Sequence, residues 1–131
     1  MAPIAPKSAD ERAMLQLIVA RVALRSPRPM TGRVRVTDII DQVGYEMGLH
    51  RCDICSADRA ARLFRARAAI CWLARRLTPS SFPQIGALLG GRDHTSARHA
   101  SLRAADMRDR DPSFARLTNR ILTHFRDLQE D

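Results

Sequence analysis

A chain of 131 residues has room for one domain, which excludes a large multi-domain enzyme. At 45% hydrophobic and 27% charged, with 6 Gly and 7 Pro, its composition is that of an ordinary globular protein and excludes collagen-like or low-complexity sequence. The net charge is +8, and the segment from Arg59 to Arg103 alone carries that excess, with nine arginines against one acid, Asp93. A field concentrated in this way points to a polyanionic partner, either nucleic acid or an anionic membrane surface.

Lys7 is the sole lysine, so basicity here means arginine. The three cysteines (Cys52, Cys55, Cys71) make a disulfide framework unsuitable, and the odd count fits a reducing cytoplasm. No secretory signal is evident, and no run approaches the roughly 20 apolar residues needed to span a bilayer.

Taken in order, the elements read as helices. Ser8-Ala9-Asp10-Glu11 is a capping-box pattern ahead of Met14, Leu15, Ile18, Val19 and Val22, which predicts a helix over 9–24. Ser26 to Gly32 holds two prolines and is a connector. Residues 1–35 thus form an N-terminal segment, and 36–131 the principal domain. Thr37 is expected to cap a second helix that ends at Gly48, and residues 49–63 read as irregular. A third helix over 64–77 is apolar on most of its circumference and is expected to be central. Ser81-Phe82-Pro83-Gln84 opens a short fourth helix with a capping box and a proline in its first turn. Gly90-Gly91 turns the chain, Asp93 caps a fifth helix over 94–108, and Asp111-Pro112 opens a sixth with Phe114, Leu117, Ile121, Leu122, Phe125 and Leu128 on one stripe. The fold expected is an all-α helical bundle.

A short helix, a glycine turn and a basic helix at 82–108 form a helix-turn-helix pattern. In such units the second helix enters the major groove with its N-terminal residues facing base edges. Here that turn is Gly91-Arg92-Asp93-His94-Thr95-Ser96. Arg92 is suited to a bidentate pair with guanine, and the Thr95 methyl to contact with a thymine methyl. Asp93 either accepts from cytosine or caps the helix.

The run Ile85-Gly86-Ala87-Leu88-Leu89-Gly90-Gly91-Arg92-Asp93-His94-Thr95-Ser96 resembles the signature of the C-terminal DNA-binding domain (domain IV) of the bacterial replication initiator DnaA. The resemblance extends through Ala69-Ile70-Cys71-Trp72-Leu73-Ala74-Arg75-Arg76-Leu77-Thr78, with Pro83 and His99 in register, and covers about residues 36–129. It implies a helical domain of the Trp-repressor-like kind that binds double-stranded DNA at a short asymmetric site, the DnaA box. It implies that Arg92, Asp93, His94 and Thr95 face bases in the major groove and that Arg59 enters the adjacent minor groove. It also implies that Arg67, Arg75, Pro83, Ser96, His99 and Arg103 contact bases or the sugar-phosphate backbone. Two departures stand out. Ser96-Ala97-Arg98 replaces a Thr followed by two apolar residues, so that Arg98 either adds a phosphate contact or disturbs packing. Ala57, Asp58 and Ala61 dilute the basic loop. No ATPase domain precedes the segment, so a stand-alone relative without one is expected.

Other readings weigh less. His50, Cys52, Cys55 and Cys71 have metal-like spacing, but the cysteines are read as small buried apolar residues, and no metal is expected. Gly86-xxxx-Gly91-Arg92 lacks the Lys-Ser/Thr ending of a phosphate loop, so no nucleotide cofactor is expected. His94 and His99 have no nucleophile with an orienting acid beside them, so the chain is not read as an enzyme. Trp72 is read as core, and the arginines from 108 to 126 as a solvated face. The 9–24 helix either packs on the domain or mediates contact with a protein partner or a second copy.

The function expected is sequence-specific DNA binding in the cytoplasm, at the nucleoid, regulating replication initiation or transcription. The alternative is an adaptor that tethers another replication protein to DNA through residues 1–35. No membrane partner is expected.

Overall fold

The computed structural model describes residues 33–130. The expected 9–24 helix and its connector lie outside the described residues. The described part is all-helical: α1 (Val36–Met47), α2 (Arg51–Ile54), α3 (Ala61–Leu77), α4 (Phe82–Leu88), α5 (His94–Arg110) and α6 (Pro112–Glu130). No helix among them is long and apolar enough to cross a membrane.

α3 is the central helix, packing against α1, α5 and α6. Its buried positions include Leu63, Ala66, Ile70, Leu73, Ala74 and Leu77. Around these lie Ile39, Ile40 and Val43 of α1 and Phe114, Ile121 and Phe125 of α6, the apolar stripe read from the sequence. The buried residues of α5 are Ala97, Ala100 and Ala104. With such small side chains on its inner face, α5 rides close to the core and spends its larger residues outward.

The helix ends follow the sequence closely where caps are strong. The Ser81 hydroxyl accepts from Gln84 N at 3.4 Å while Ser81 N donates to Gln84 Oε1 at 2.8 Å, closing the capping box of α4. Asp93 Oδ1 accepts from Ser96 N at 2.8 Å and starts α5. Asp111 Oδ1 accepts from Ser113 N at 3.0 Å and starts α6.

Three readings need correction. The N-cap of α1 is Arg35, not Thr37: Asp38 at the third helical position accepts from Arg35 N at 2.9 Å, which pulls the start upstream. Residues 49–63 contain the single turn α2, and α3 begins at Ala61 rather than Phe64. Arg108 is half-buried rather than part of a solvated face. Its guanidinium lies 4.2 Å from the centroid of the buried Trp72 ring and bonds Thr118 Oγ1, while Arg76 lies 3.7 Å from the same ring. Indole faces attract guanidinium groups, so two arginines cover the edge of the core here.

Candidate nucleic-acid interface

The α4–α5 unit is built by a backbone crossing that only glycine permits. Gly86 O accepts from Arg92 N at 2.8 Å, and a Cβ on Gly86 would lie 2.2 Å from Arg92 O. Gly90 has φ +86°, and a Cβ there would lie 2.1 Å from Cys55 O. The turn therefore locks two things at once: α4 against the start of α5, and both against the loop that follows α2.

That loop is organised from within by short polar turns. Ser56 Oγ donates to Asp53 O at 2.6 Å and accepts from Asp58 N at 3.3 Å, and Asp58 Oδ1 accepts from Ala60 N at 2.9 Å. Arg67 then anchors it from below. Only 5% exposed, Arg67 donates to Ile54 O at 2.6 Å, Asp58 O at 2.6 Å, Ser56 O at 2.8 Å and Asp53 O at 3.3 Å. Burial, followed by the positive charge of Arg92, holds its pKa below the usual arginine value. Arg67, for which the resemblance implies a DNA contact, thus has its guanidinium committed to backbone carbonyls in this structure.

Arg92, which the resemblance places facing bases, is tied into the same network. It is half-buried, with Nη2 donating to Ser56 O at 2.7 Å and Nη1 to Leu89 O. Ser56 O is therefore shared by Arg67 and Arg92, and the loop, α3 and the head of α5 form one hydrogen-bonded unit. These two bonds commit two of the five guanidinium N–H donors, leaving three for a further contact.

The remaining predicted residues fall into two groups. Arg59, Ser96 and His99, with Arg67 and Arg92 behind them, line a cleft of about 580 Å³ between the loop and α5, with Phe64, Cys71 and Leu89 on its apolar side. Arg59 is exposed at its mouth and makes no hydrogen bond or ion pair among the described residues. His94, Thr95 and Ser96 are exposed on the first turn of α5, and Asp93 just ahead of them. Hydrogen bonds from Ser96, the backbone one foremost, hold the Asp93 carboxyl below the usual carboxylate range. Asp93 therefore caps the helix as an anion, and a carboxylate's roughly four lone-pair sites are not exhausted by capping.

The second group lies outside the cleft. Arg75 is exposed, donates to Ser80 O at 2.9 Å and lies 4.8 Å from the Phe82 ring centroid, beside the exposed Pro83 at the head of α4. Arg103 is exposed further along α5, 3.7 Å from Asp106. Two further residues of α5 are exposed: Arg98, for which the sequence leaves a phosphate contact or disturbed packing open, and Leu102. Leu102 is 62% exposed, a large apolar side chain presented outward.

The cysteines are not gathered. Cys52 is exposed, correcting the buried reading, whereas Cys55 is half-buried and Cys71 fully so. Burial pushes the Cys71 thiol up to about 12, the state of an unreactive core residue. Among the described residues no three His, Cys, Asp or Glu side chains are grouped to hold a metal.

A short capped helix, a glycine turn and a second helix with an exposed, cation-flanked first turn, braced on a central helix, define a helix-turn-helix domain. Residues 36–103 match the bacterial dnaA protein helix-turn-helix, and the chain belongs to that family. It is 39% identical over 83 residues to the chromosomal replication initiator protein DnaA of Gluconobacter oxydans, covering 63% of this chain and 17% of that protein. It is 38% identical over 92 residues to the DnaA of Caulobacter sp. strain K31 (69% and 19%), and 36% identical over 95 residues to that of Caulobacter vibrioides (71% and 19%). The chain spans about one-fifth of the length of these curated relatives.

Proposed function

We propose that this chain binds double-stranded DNA sequence-specifically at DnaA-box-like sites and that, by occupying them, it regulates replication initiation or transcription. The observation that carries the reading is the first turn of α5. His94, Thr95 and Ser96 stand exposed there, while Arg59 on the loop and His99 on α5 line the cleft beside them. The Thr95 methyl and hydroxyl suit a base edge, and Arg59 suits an adjacent narrow minor groove, where negative potential concentrates. Arg75, Pro83 and Arg103 supply contacts to the backbone on either side, and these fix register without reading sequence.

Arg67 and Arg92 act differently on this reading. They hold the Arg59 loop at a fixed height relative to α5, so that the groove-reading turn and the minor-groove arm engage neighbouring segments of one duplex. The role is binding without catalysis, with no metal or nucleotide. Selection of bound sites from a random duplex pool tests it. Enrichment of a DnaA-box-like sequence supports the proposal, and recovery of unenriched sequence refutes it.

A further inference from the structure

Arg98 has a position on α5 that none of the roles above uses. At about 100° per residue, with His94 set at zero, the buried Ala97, Ala100 and Ala104 fall at about 240–300°. Thr95 and Leu102 then lie directly opposite, at about 80–100°, with Arg98 at about 40° and His99 at about 140°. Arg98 and His99 thus straddle the outermost ridge of the helix, one turn beyond the residues that face bases. His99 leans toward the cleft it lines, and Arg98 toward the other side.

The state of the side chain adds a second observation. Arg67, Arg75, Arg92, Arg103 and Arg110 are each hydrogen-bonded or ion-paired. Arg98 is exposed and makes no hydrogen bond or ion pair among the described residues. The first carboxylate after Asp93 along α5 is Asp106, which pairs with Arg103 and Arg110 instead. A packing role is also excluded by its exposure on the face opposite the alanines. A helix rises about 1.5 Å per residue, so Arg98 stands about 4.5 Å further along the axis than Thr95, slightly more than one base-pair step of about 3.4 Å.

Building on the DNA-reading role proposed above, we infer that Arg98 is a specificity-determining residue. Its guanidinium pairs with O6 and N7 of a guanine in the major groove, about one base pair beyond those facing the first turn of α5. A planar fork of donors matches that guanine edge, and it is the commonest specific side-chain–base contact. Its location about 50° from the outermost ridge, against about 90° for Arg103, favours a base over a phosphate.

The test is selection of bound duplex from a random pool with the full chain and with Arg98→Ala and Arg98→Gln. The native chain is expected to select a G·C pair at one position, Arg98→Ala to lose that preference while keeping the others, and Arg98→Gln to shift it toward adenine. On the selected site, Arg98→Ala is expected to bind roughly 5- to 150-fold more weakly. Replacing the guanine with 7-deazaguanine, which removes the N7 acceptor, should weaken the native chain and leave Arg98→Ala unchanged. An unaltered preference, or equal weakening on all sequences, overturns the inference while leaving the DNA-reading role standing. Failure of the native chain to select any site overturns both.

Discussion

Removing the Arg67 guanidinium would strip its donors from four carbonyls that the fold has placed under cover, two at the end of α2 and two in the loop after it. Buried acceptors left without partners are costly, and hydrogen bonds to a charged group are stronger than neutral ones. Arg67→Ala is expected to lower stability by about 2–4 kcal/mol in urea unfolding, and Arg67→Lys to recover less than half of that, since an ammonium lacks the fork. Equal stability of Arg67→Ala and the native chain would show that the loop does not depend on it. The residue was partly legible: Leu63, Arg67, Ile70, Ala74 and Leu77 follow one helical stripe, and a charge on an otherwise apolar stripe signals a buried, satisfied group. Its partners were not legible, because a backbone carbonyl leaves no mark in the sequence. The same holds for Arg92 and Ser56 O, joined across 36 positions. At Gly90, any Cβ meets Cys55 O in a backbone conformation that L residues rarely adopt. Gly90→Ala is expected to cost more than about 1 kcal/mol and to perturb the loop as well as the turn. Amide hydrogen exchange that quickens on both sides of the contact supports this, and change confined to 89–91 contradicts it.

At the scale of the helix, two carboxylates set the starts of α5 and α6. Asp111 is held well below the usual carboxylate range, chiefly by the Ser113 hydroxyl and then by Arg65 at 2.6 Å, and Asp93 is held down by Ser96. A carboxyl whose folded pKa is depressed contributes stability that is fully present above its unfolded value of about 3.9. That contribution is lost as the pH falls through the lower folded value. Stability measured by urea midpoint should therefore hold from pH 7 down to about 4 and then fall, and Asp111→Asn should flatten that decline. A decline centred near pH 6 would instead point to histidine. These caps were legible because an Asp, Ser or Thr before an apolar run has a local cause. By contrast, α2 is four residues long, too short to show a period, and the start of α1 depends on Asp38 reaching back to Arg35. Element boundaries were thus readable where one side chain decides them and obscure where a pair or a distant partner does.

Across the whole molecule, the arginine excess of residues 59–103 is split between structure and surface. Arg67 and Arg92 hold the loop, whereas Arg59, Arg75, Arg76, Arg98 and Arg103 are exposed, Arg76 lying over the Trp72 ring. The sequence located the charge in the middle third of the chain but did not separate these uses, since all are arginine and only packing tells them apart. If about five cations neutralise phosphates, the slope of log K against log salt should be near −4 to −5. Arg75→Ala or Arg103→Ala should weaken all duplexes alike and reduce that slope by about one. Affinity that stays flat between low and moderate salt would remove phosphate contact as the main source of binding.

The central claim is that the first turn of α5 reads base sequence. It is tested most directly by titrating the native chain and Thr95→Ala, at fixed salt, against a DnaA-box duplex and a scrambled duplex of equal length. The account predicts that the native chain binds the box more tightly than the scrambled duplex. It predicts that Thr95→Ala narrows that ratio, through lost affinity for the box, while binding of the scrambled duplex stays the same. Equal affinity of the native chain for the two duplexes would contradict the account, as would a Thr95→Ala change that lowers both affinities by the same factor.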